Sequence, residues 1–285
     1  MRLSVVVCTR NRAPQLRACL ESIGRLSVAA SWELVVVNNG STDDTADVLR
    51  QFRRVSLHPL TVVEEPRPGL GMARNRGWRA AAGELIGFTD DDCYPADDYL
   101  SQIVACFEDR TLGFLGGRVL LFDPTDFRIT IQELDHRVEI DPKAFIPAGL
   151  IHGANFAFRK EVLEAIGGFD DAFGAGTPFC CEDVDALARA AASGWRGAYD
   201  PRPIVYHHHR RKMRDEVMQL KRVHAIGRGA YYMKGILDPA MRGRYFRSWM
   251  KRIVTQSPRH TIREVRGALA YLRERRRGAI PTRSR

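Results

Sequence analysis

Four short apolar runs near the start of the chain constrain its fold more than any other feature: LSVVVCT (Leu3–Thr9), ELVVVNN (Glu33–Asn39), LTVVEE (Leu60–Glu65) and ELIGF (Glu84–Phe88). Each is β-branched and continuously apolar rather than alternating, the pattern of a strand covered on both faces. Helical periodicities lie between them. APQLRACLESI sets Leu16, Cys19, Leu20 and Ile23 on one face. STDDTADVLRQF opens with Ser41 or Thr42 as N-cap and acids in its first turn, and GLGMARNRGWRAAAG closes at Gly83. Strands alternating with helices predict an α/β fold with a mostly parallel central sheet. Ligands of such sheets bind at the carboxyl ends of the strands. The polar clusters CTRNR, NNGSTDD and TDDDC all fall there, so three separate segments point to one rim.

Beyond residue 110 the pattern loosens. GFLGGRVLLF predicts a strand, and GANFAFRKEVLEAIGGFD a short strand running into a helix that ends at Gly167-Gly168. CEDVDALARAAASGW predicts a helix, and PIVYHHH a final strand. From Arg214 the chain is helical and basic, which divides it into a body over 1–213 and a helical extension over 214–285. Charge divides the same way. Residues 1–206 carry 22 Lys/Arg against 29 Asp/Glu, and residues 207–285 carry 22 against 5, within a net charge of +10. Such a tail favours a polyanionic partner: nucleic acid, an anionic membrane face or phosphates.

The 45% hydrophobic and 27% charged composition is that of a globular protein, and no run approaches the ~20 apolar residues of a membrane span. The N-terminal apolar run is too short for a secretory signal and lacks a small-residue cleavage site. Six cysteines without repeated spacing predict reduced thiols rather than a disulfide framework or a zinc site, and hence a cytoplasmic setting.

Four polar constellations carry chemistry. Asp90, Asp91 and Asp92 follow directly on the fourth strand, where crowded like charges call for a cation or a solvated turn. Asp oxygens with a later imidazole suit Mg²⁺ or Mn²⁺; the plain alternative is an Asp-rich cap before PADDYL. YHHHRR supplies His207 and His209 on one side of a strand and His208 on the other, or else a wet strand end. CCEDVD puts Glu182, Asp183 and Asp185 at a helix start, where the dipole favours carboxylates for capping and where one could equally act as general base. RPGLGMARNRG has the Gly and Arg content of a phosphate-binding loop, without the Gly-Lys-Ser/Thr of a Walker loop. No GxGxxG follows the first strand, which disfavours a nicotinamide cofactor.

The order of these segments resembles the family 2 glycosyltransferases. The resemblance covers about residues 1–210 and rests on SVVVCTRNR, ELVVVNNGSTDDT, GLGMARNRGWRAAAGELIGFTDDDC, GANFAFRKEVLEAIGGFDDAF and EDVDALARAAASGWR. It implies the A-type glycosyltransferase fold and sugar transfer with inversion from a nucleoside-diphosphate sugar to a glycan or lipid-linked acceptor. It also implies roles for residues. Thr9, Arg10, Arg12 and Asn39 would line the nucleotide pocket, and Arg74, Asn75 and Asn155 would approach the donor. Asp90 and Asp91 would serve the ribose and donor side, and Asp92, with Asp90, the cation. His207 would be the later metal ligand, with His209 as alternative. Asp183 would be the catalytic base, with Glu182 beside it. Asn38-Asn39 stands where many relatives have Asp-Asp, a departure that unsettles base specificity.

The basic tail presents two stripes: Met241, Tyr245, Phe246, Trp249, Met250, Ile253 and Val254, then Ile262, Val265, Leu269 and Leu272. Two readings stand: packing on the catalytic body, or peripheral contact with an anionic membrane through residues 241–277, on the inner face of the cell membrane. Other functions consistent with the rim are a nucleotidyltransferase acting on sugar phosphates and a non-catalytic polyanion-binding protein. EDVD…GWR argues against the first, and the absence of a nucleic-acid motif against a nucleic-acid partner.

Overall fold

The computed structural model describes residues 2–28 and 30–278. In chain order its first half comprises β1 (Leu3–Thr9), α1 (Ala13–Ile23), β2 (Trp32–Asn38), α2 (Thr45–Val55), β3 (Leu60–Glu64), α3 (Leu70–Ala80), β4 (Leu85–Asp90), β5 (Cys93–Pro95) and α4 (Tyr99–Cys106). The second half comprises β6 (Leu112–Leu121), β7 (Val138–Ile140), β8 (Asn155–Arg159), α5 (Lys160–Ile166), α6 (Glu182–Ala192), β9 (Arg196–His207), α7 (Arg214–Leu237), α8 (Arg242–Thr255) and α9 (Pro258–Arg276).

The sheet runs β3-β2-β1-β4-β8-β6-β9-β5, with β7 on β9. β1 to β4 are mutually parallel, and β6 and β9 share their direction; β8, β5 and β7 run against them. The sheet is therefore mostly parallel. Alternation along β1 sorts its side chains onto two cores. Leu3, Val5 and Val7 join the core under α1 and α4, and Val6 joins the one under α3, α5 and α6. On that second face α3 comes so close that a Cβ at Gly77 would lie 2.4 Å from Val6 Cγ1.

Several boundaries differ from the sequence reading for local reasons. α2 begins at Thr45, not at a Ser41 or Thr42 cap, because Asp43 takes the N–H groups of both Thr45 and Ala13 while Ser41 Oγ accepts from Asn11 N–H. α3 stops at Ala80, before Gly83, since Ala81 is already extended. The last strand starts seven residues before PIVYHHH and stops at His207. The short β5 pairs antiparallel with it, setting Cys93 opposite His207. That pairing lies beyond sequence periodicity, because three residues carry none.

The helical extension shares the core of the sheet. Ala230, Tyr231, Tyr245, Trp249, Ala268 and Tyr271 belong to the same apolar cluster as Val6 and Phe88. α7 and α9 approach almost backbone to backbone: a Cβ at Gly229 would lie 1.8 Å from Glu264 O, and one at Gly267 1.9 Å from Ile226 O. Tyr231 Oη and Tyr245 Oη lie 2.8 Å apart, joining α7 to α8. Of the two predicted stripes, only part of the first is inward. Met241, Tyr245 and Trp249 are buried, whereas Ile262, Val265 and Leu269 face outward. The residues α9 does bury are Glu264, Gly267, Ala268 and Tyr271. The final part of the 214–285 extension, from residue 279, lies outside the described residues.

Candidate active site

The carboxyl ends of β1, β2 and β4, the end of β9 and the start of α6 meet at one cavity of about 630 Å³, a size that suits a small-molecule ligand. Thr9, Arg10 and Arg12 enter it from β1, Asn39 from β2, and Asp90, Asp91 and Asp92 from β4 and the turn after it. Glu182 and Asp183 enter from α6, Arg74 from α3 and His207 from β9.

The three aspartates have different partners. Asp91 accepts from Thr9 Oγ1 at 2.7 Å and pairs with Arg12 Nε at 2.9 Å. Burial pushes its carboxyl up to about 7, with Arg12 pulling the other way. Asp92 is held by Arg12 Nη2 through Oδ2, and His207 Nε2 lies 3.3 Å from its Oδ1. Burial opposes charge there too, yet the hydrogen bond and charge of His207, together with Arg12, hold Asp92 well below the usual carboxylate range. Asp90 sits half open to the cavity, 3.3 Å from Arg74 Nη2, with burial raising its carboxyl.

Arg74 is buried and spans the site. Its Nη1 donates to Glu182 Oε1 at 2.6 Å, and its Nη2 to Gly153 O at 2.9 Å. Glu182 is raised above the ordinary glutamate range by burial, against the pull of Arg74. Asp183 follows it on the first turn of α6, with Val184 N–H donating to Oδ1. The residue before the pair, Cys181, has φ +84°, a left-handed conformation unusual for a side chain other than Gly. Gly153 leaves the space above the pair: a Cβ there would come 2.9 Å from Asp183 Oδ2 and 3.1 Å from Arg74 Nη2.

Asp92, Cys93 and His207 present ligand atoms within 4.8 Å of one another. His207 Nδ1 lies 3.1 Å from Thr130 O, so the proton resides on Nδ1 whenever Nε2 is a ligand. Oxygen plus imidazole fits Mn²⁺ or Mg²⁺. Burial holds the Cys93 thiol far above its usual range, and a protonated sulfur is a poor ligand for a hard cation. A second cluster, Asp123, Asp126 and His208, already has the ammonium of Lys212 at 2.8 Å from Asp123 Oδ2 and 3.9 Å from Asp126 Oδ1.

Three expected site residues stand elsewhere. Asn75 donates to Phe169 O and Asp171 Oδ1, and its own oxygen accepts from Phe169 N–H and Trp78 Nε1–H. Asn155 donates to Arg118 O and Pro203 O inside the sheet. Neither lines the cavity: Asn75 ties α3 to the segment after α5, and Asn155 ties β8 to β6 and β9. His209 Nε2 meets Phe127 O at 2.9 Å and its Nδ1 accepts from Arg211 N–H at 3.0 Å, which leaves it without a free ligand atom. Asn39 does reach the wall, and the departure from Asp has a local cause. Its amide donates to Glu65 O and Arg67 O while its oxygen accepts from Gly69 N–H. A carboxylate would repel both carbonyls.

The sequence reading missed His152, His224 and Arg228, which complete the opposite wall. His152 stands on a loop and the other two on α7; burial lowers both histidines. Single basic residues on a basic helix carried no distinguishing signal. Their place emerges only because α7 folds back over the sheet.

This sheet, with its acidic strand-end turn and helix-start carboxylates, defines an A-type glycosyltransferase fold, and solved structures share it. A mannosyltransferase of Pyrobaculum calidifontis, determined with GDP-Man and Mn²⁺, superposes with a TM-score of 0.65 at 24% identity, over 98% of this chain and 82% of that one. Staphylococcus aureus TarS 1-349 with UDP superposes with a TM-score of 0.65 at 18% identity, over 90% and 73%. Residues 4–167 match the family model described as glycosyl transferase family 2, and the chain belongs to that family. Among curated relatives, the putative glycosyltransferase EpsH of Bacillus subtilis is 33% identical over 173 residues, 57% of this chain and 48% of that protein. Glycosyltransferase AglE of Haloferax volcanii is 26% identical over 195 residues, 68% and 62%. The chain thus spans about half to three-fifths of the length of these relatives.

Proposed function

We propose that this chain is a metal-dependent, inverting glycosyltransferase, moving a sugar from a nucleoside-diphosphate sugar to an acceptor hydroxyl of a glycan or lipid-linked acceptor. The observation that carries the reading is that Asp92, His207 and Asp183 all line a single cavity. Neighbours of the same fold were determined with GDP-Man and Mn²⁺ and with UDP-GlcNAc, which supports a nucleotide-sugar donor.

In this reading Thr9, Arg10 and Arg12 meet the nucleotide at the ends of β1, with Asn39 shaping the pocket floor. Asp92 and His207 would hold Mn²⁺ or Mg²⁺, which when bound supplies positive charge to the departing diphosphate. Asp183 accepts the proton of the acceptor hydroxyl as that oxygen attacks the anomeric carbon, and a single displacement inverts the centre. Arg74 keeps Glu182 tied back, so that Asp183 is the carboxylate free to face the acceptor. The nucleotidyltransferase alternative leaves Asp183 without a task.

A thermal-shift panel of nucleoside diphosphates and their sugar conjugates, with Mn²⁺ and with a chelator, tests the reading. One base should stabilise the protein in Mn²⁺, with loss in chelator; no stabilisation by any nucleotide overturns it.

A further inference from the structure

The outer faces of α8 and α9 combine exposed apolar side chains with arginine, and carry almost no negative charge. On α9, Ile262, Val265 and Leu269 are 51%, 38% and 57% exposed. At 100° per residue they share one stripe with the exposed Arg266, Arg273 and Arg276. The opposite face, Glu264, Gly267, Ala268 and Tyr271, is the one buried against the protein. α9 thus packs a face of small residues and Tyr271 around the buried Glu264, and leaves a separate apolar stripe in water. α8 repeats the arrangement, with Phe246 at 50% and Val254 at 85% exposed beside Arg247 and Lys251. Between Arg242 and Arg276 stand eleven Lys/Arg and two acids. One acid, Glu264, is buried, and the other, Glu274, is paired with Arg277.

We infer that this face seats the protein on an anionic bilayer surface. Ile262, Val265, Leu269, Phe246 and Val254 enter the boundary between headgroups and acyl chains, and the flanking arginines meet lipid phosphates. Charge decides against a second copy of the chain. A two-fold contact would press one arginine-rich stripe against the same stripe of its partner. Nucleic acid would match the charge but leave the aliphatic side chains unused, since phosphate contact needs none of them. Among the described residues no helix is long and apolar enough to cross a membrane, so the contact is peripheral. α7, packed on the inner face of α9, supplies Leu220 and the 47%-exposed Val223 to the cavity wall, an apolar lip suited to an acceptor with a lipid tail. The inference rests on the surface alone, so vesicle binding can fail while sugar transfer holds, and the reverse.

Flotation of the full chain with phosphatidylcholine vesicles, alone or with about one-third phosphatidylglycerol, tests it. The protein should partition at least about tenfold more onto the anionic vesicles, falling as salt rises from about 0.1 M to 0.5 M. The pairs Ile262→Ser with Leu269→Ser, and Arg266→Glu with Arg273→Glu, should each lower binding roughly tenfold with unchanged thermal midpoints. Equal binding to neutral and anionic vesicles, or binding unaffected by both pairs, overturns the inference. So does a dimer in sedimentation velocity that Leu269→Ser dissociates, or RNA retention lost in the arginine pair without vesicle binding.

Discussion

Arg74 Nη1 lies 2.6 Å from Glu182 Oε1, and the same guanidinium reaches Asp90 Oδ1 at 3.3 Å, so one cation from α3 links the helix-start carboxylates to the strand-end aspartates. All three side chains are removed wholly or partly from water. Deleting the cation strands two anions, and Arg74→Gln should cost about 3–5 kcal/mol of stability. The loss should grow with pH. Glu182 is raised above its unfolded value, so its share of stability is full below about pH 4.5 and fades as pH rises toward neutrality. Without Arg74 the carboxyl is raised further. Thermal unfolding at pH 5 and pH 8 checks this, and an equal loss at both would refute the coupling.

Among the described residues Asp183 has no ion pair to match that of Glu182 with Arg74, which leaves its carboxylate free for the base role proposed above. Asp183→Asn should lower kcat roughly 100- to 10,000-fold while sparing nucleotide affinity. Turnover close to the native rate would remove Asp183 from the reaction.

Gly153 offers a subtler perturbation of the same carboxylate. A methyl group at this position would crowd Asp183 Oδ2 at 2.9 Å and push it aside. Gly153→Ala should cost about 100-fold in kcat with little change in donor affinity. A fall in affinity with kcat preserved would mean that Gly153 serves the donor pocket instead.

Asp92 and His207 are expected to act as one unit toward the cation. Asp92→Asn and His207→Ala should each remove the Mn²⁺-dependent tightening of nucleotide binding, a loss of at least about tenfold by calorimetry. Nucleotide binding that stays Mn²⁺-dependent in both variants would relocate the metal.

What the sequence revealed and concealed follows from the range of the forces involved. β1, β2 and β4 were legible because strands buried on both faces must be continuously apolar, a local pattern; the edge strand β3, only partly buried, showed through its own β-branched run. The acidic rim was legible for the same reason, as each cluster ends such a run. The hydrogen-bond partners of Asn75 and Asn155 were not legible because motif position says nothing of which carbonyls will lie nearby; Phe169, Arg118 and Pro203 claim their amides only after folding. His224 and Arg228 were missed since α7 joins the cavity through long-range packing. On α9 the periodic stripe was legible, but whether it packs on the body or faces outward was not; the structure turns it outward. Glycines at Gly229 and Gly267 allow a closer approach than any aliphatic side would, so the small-residue face turned inward.

That inward face depends on Glu264, a fully buried carboxylate that accepts from Arg228 Nε at 3.0 Å, Arg252 Nε at 3.0 Å, Trp249 Nε1 at 3.1 Å and Gln256 Nε2 at 2.9 Å. It draws α7, α8 and α9 onto one charge and fixes Arg228, which lines the cavity. Glu264→Gln should destabilise the protein by about 3–5 kcal/mol at pH 7, leaving two arginines without their anion. Burial alone would raise this carboxyl, but Gln256, Arg228 and Arg252 hold it below the ordinary range. Its contribution is therefore present above about pH 4.5 and lost as pH falls through the lowered value. The gap between native and variant unfolding midpoints should close in acid. A gap as wide at pH 3 as at pH 7 would show that the carboxylate charge is not what holds the three helices together.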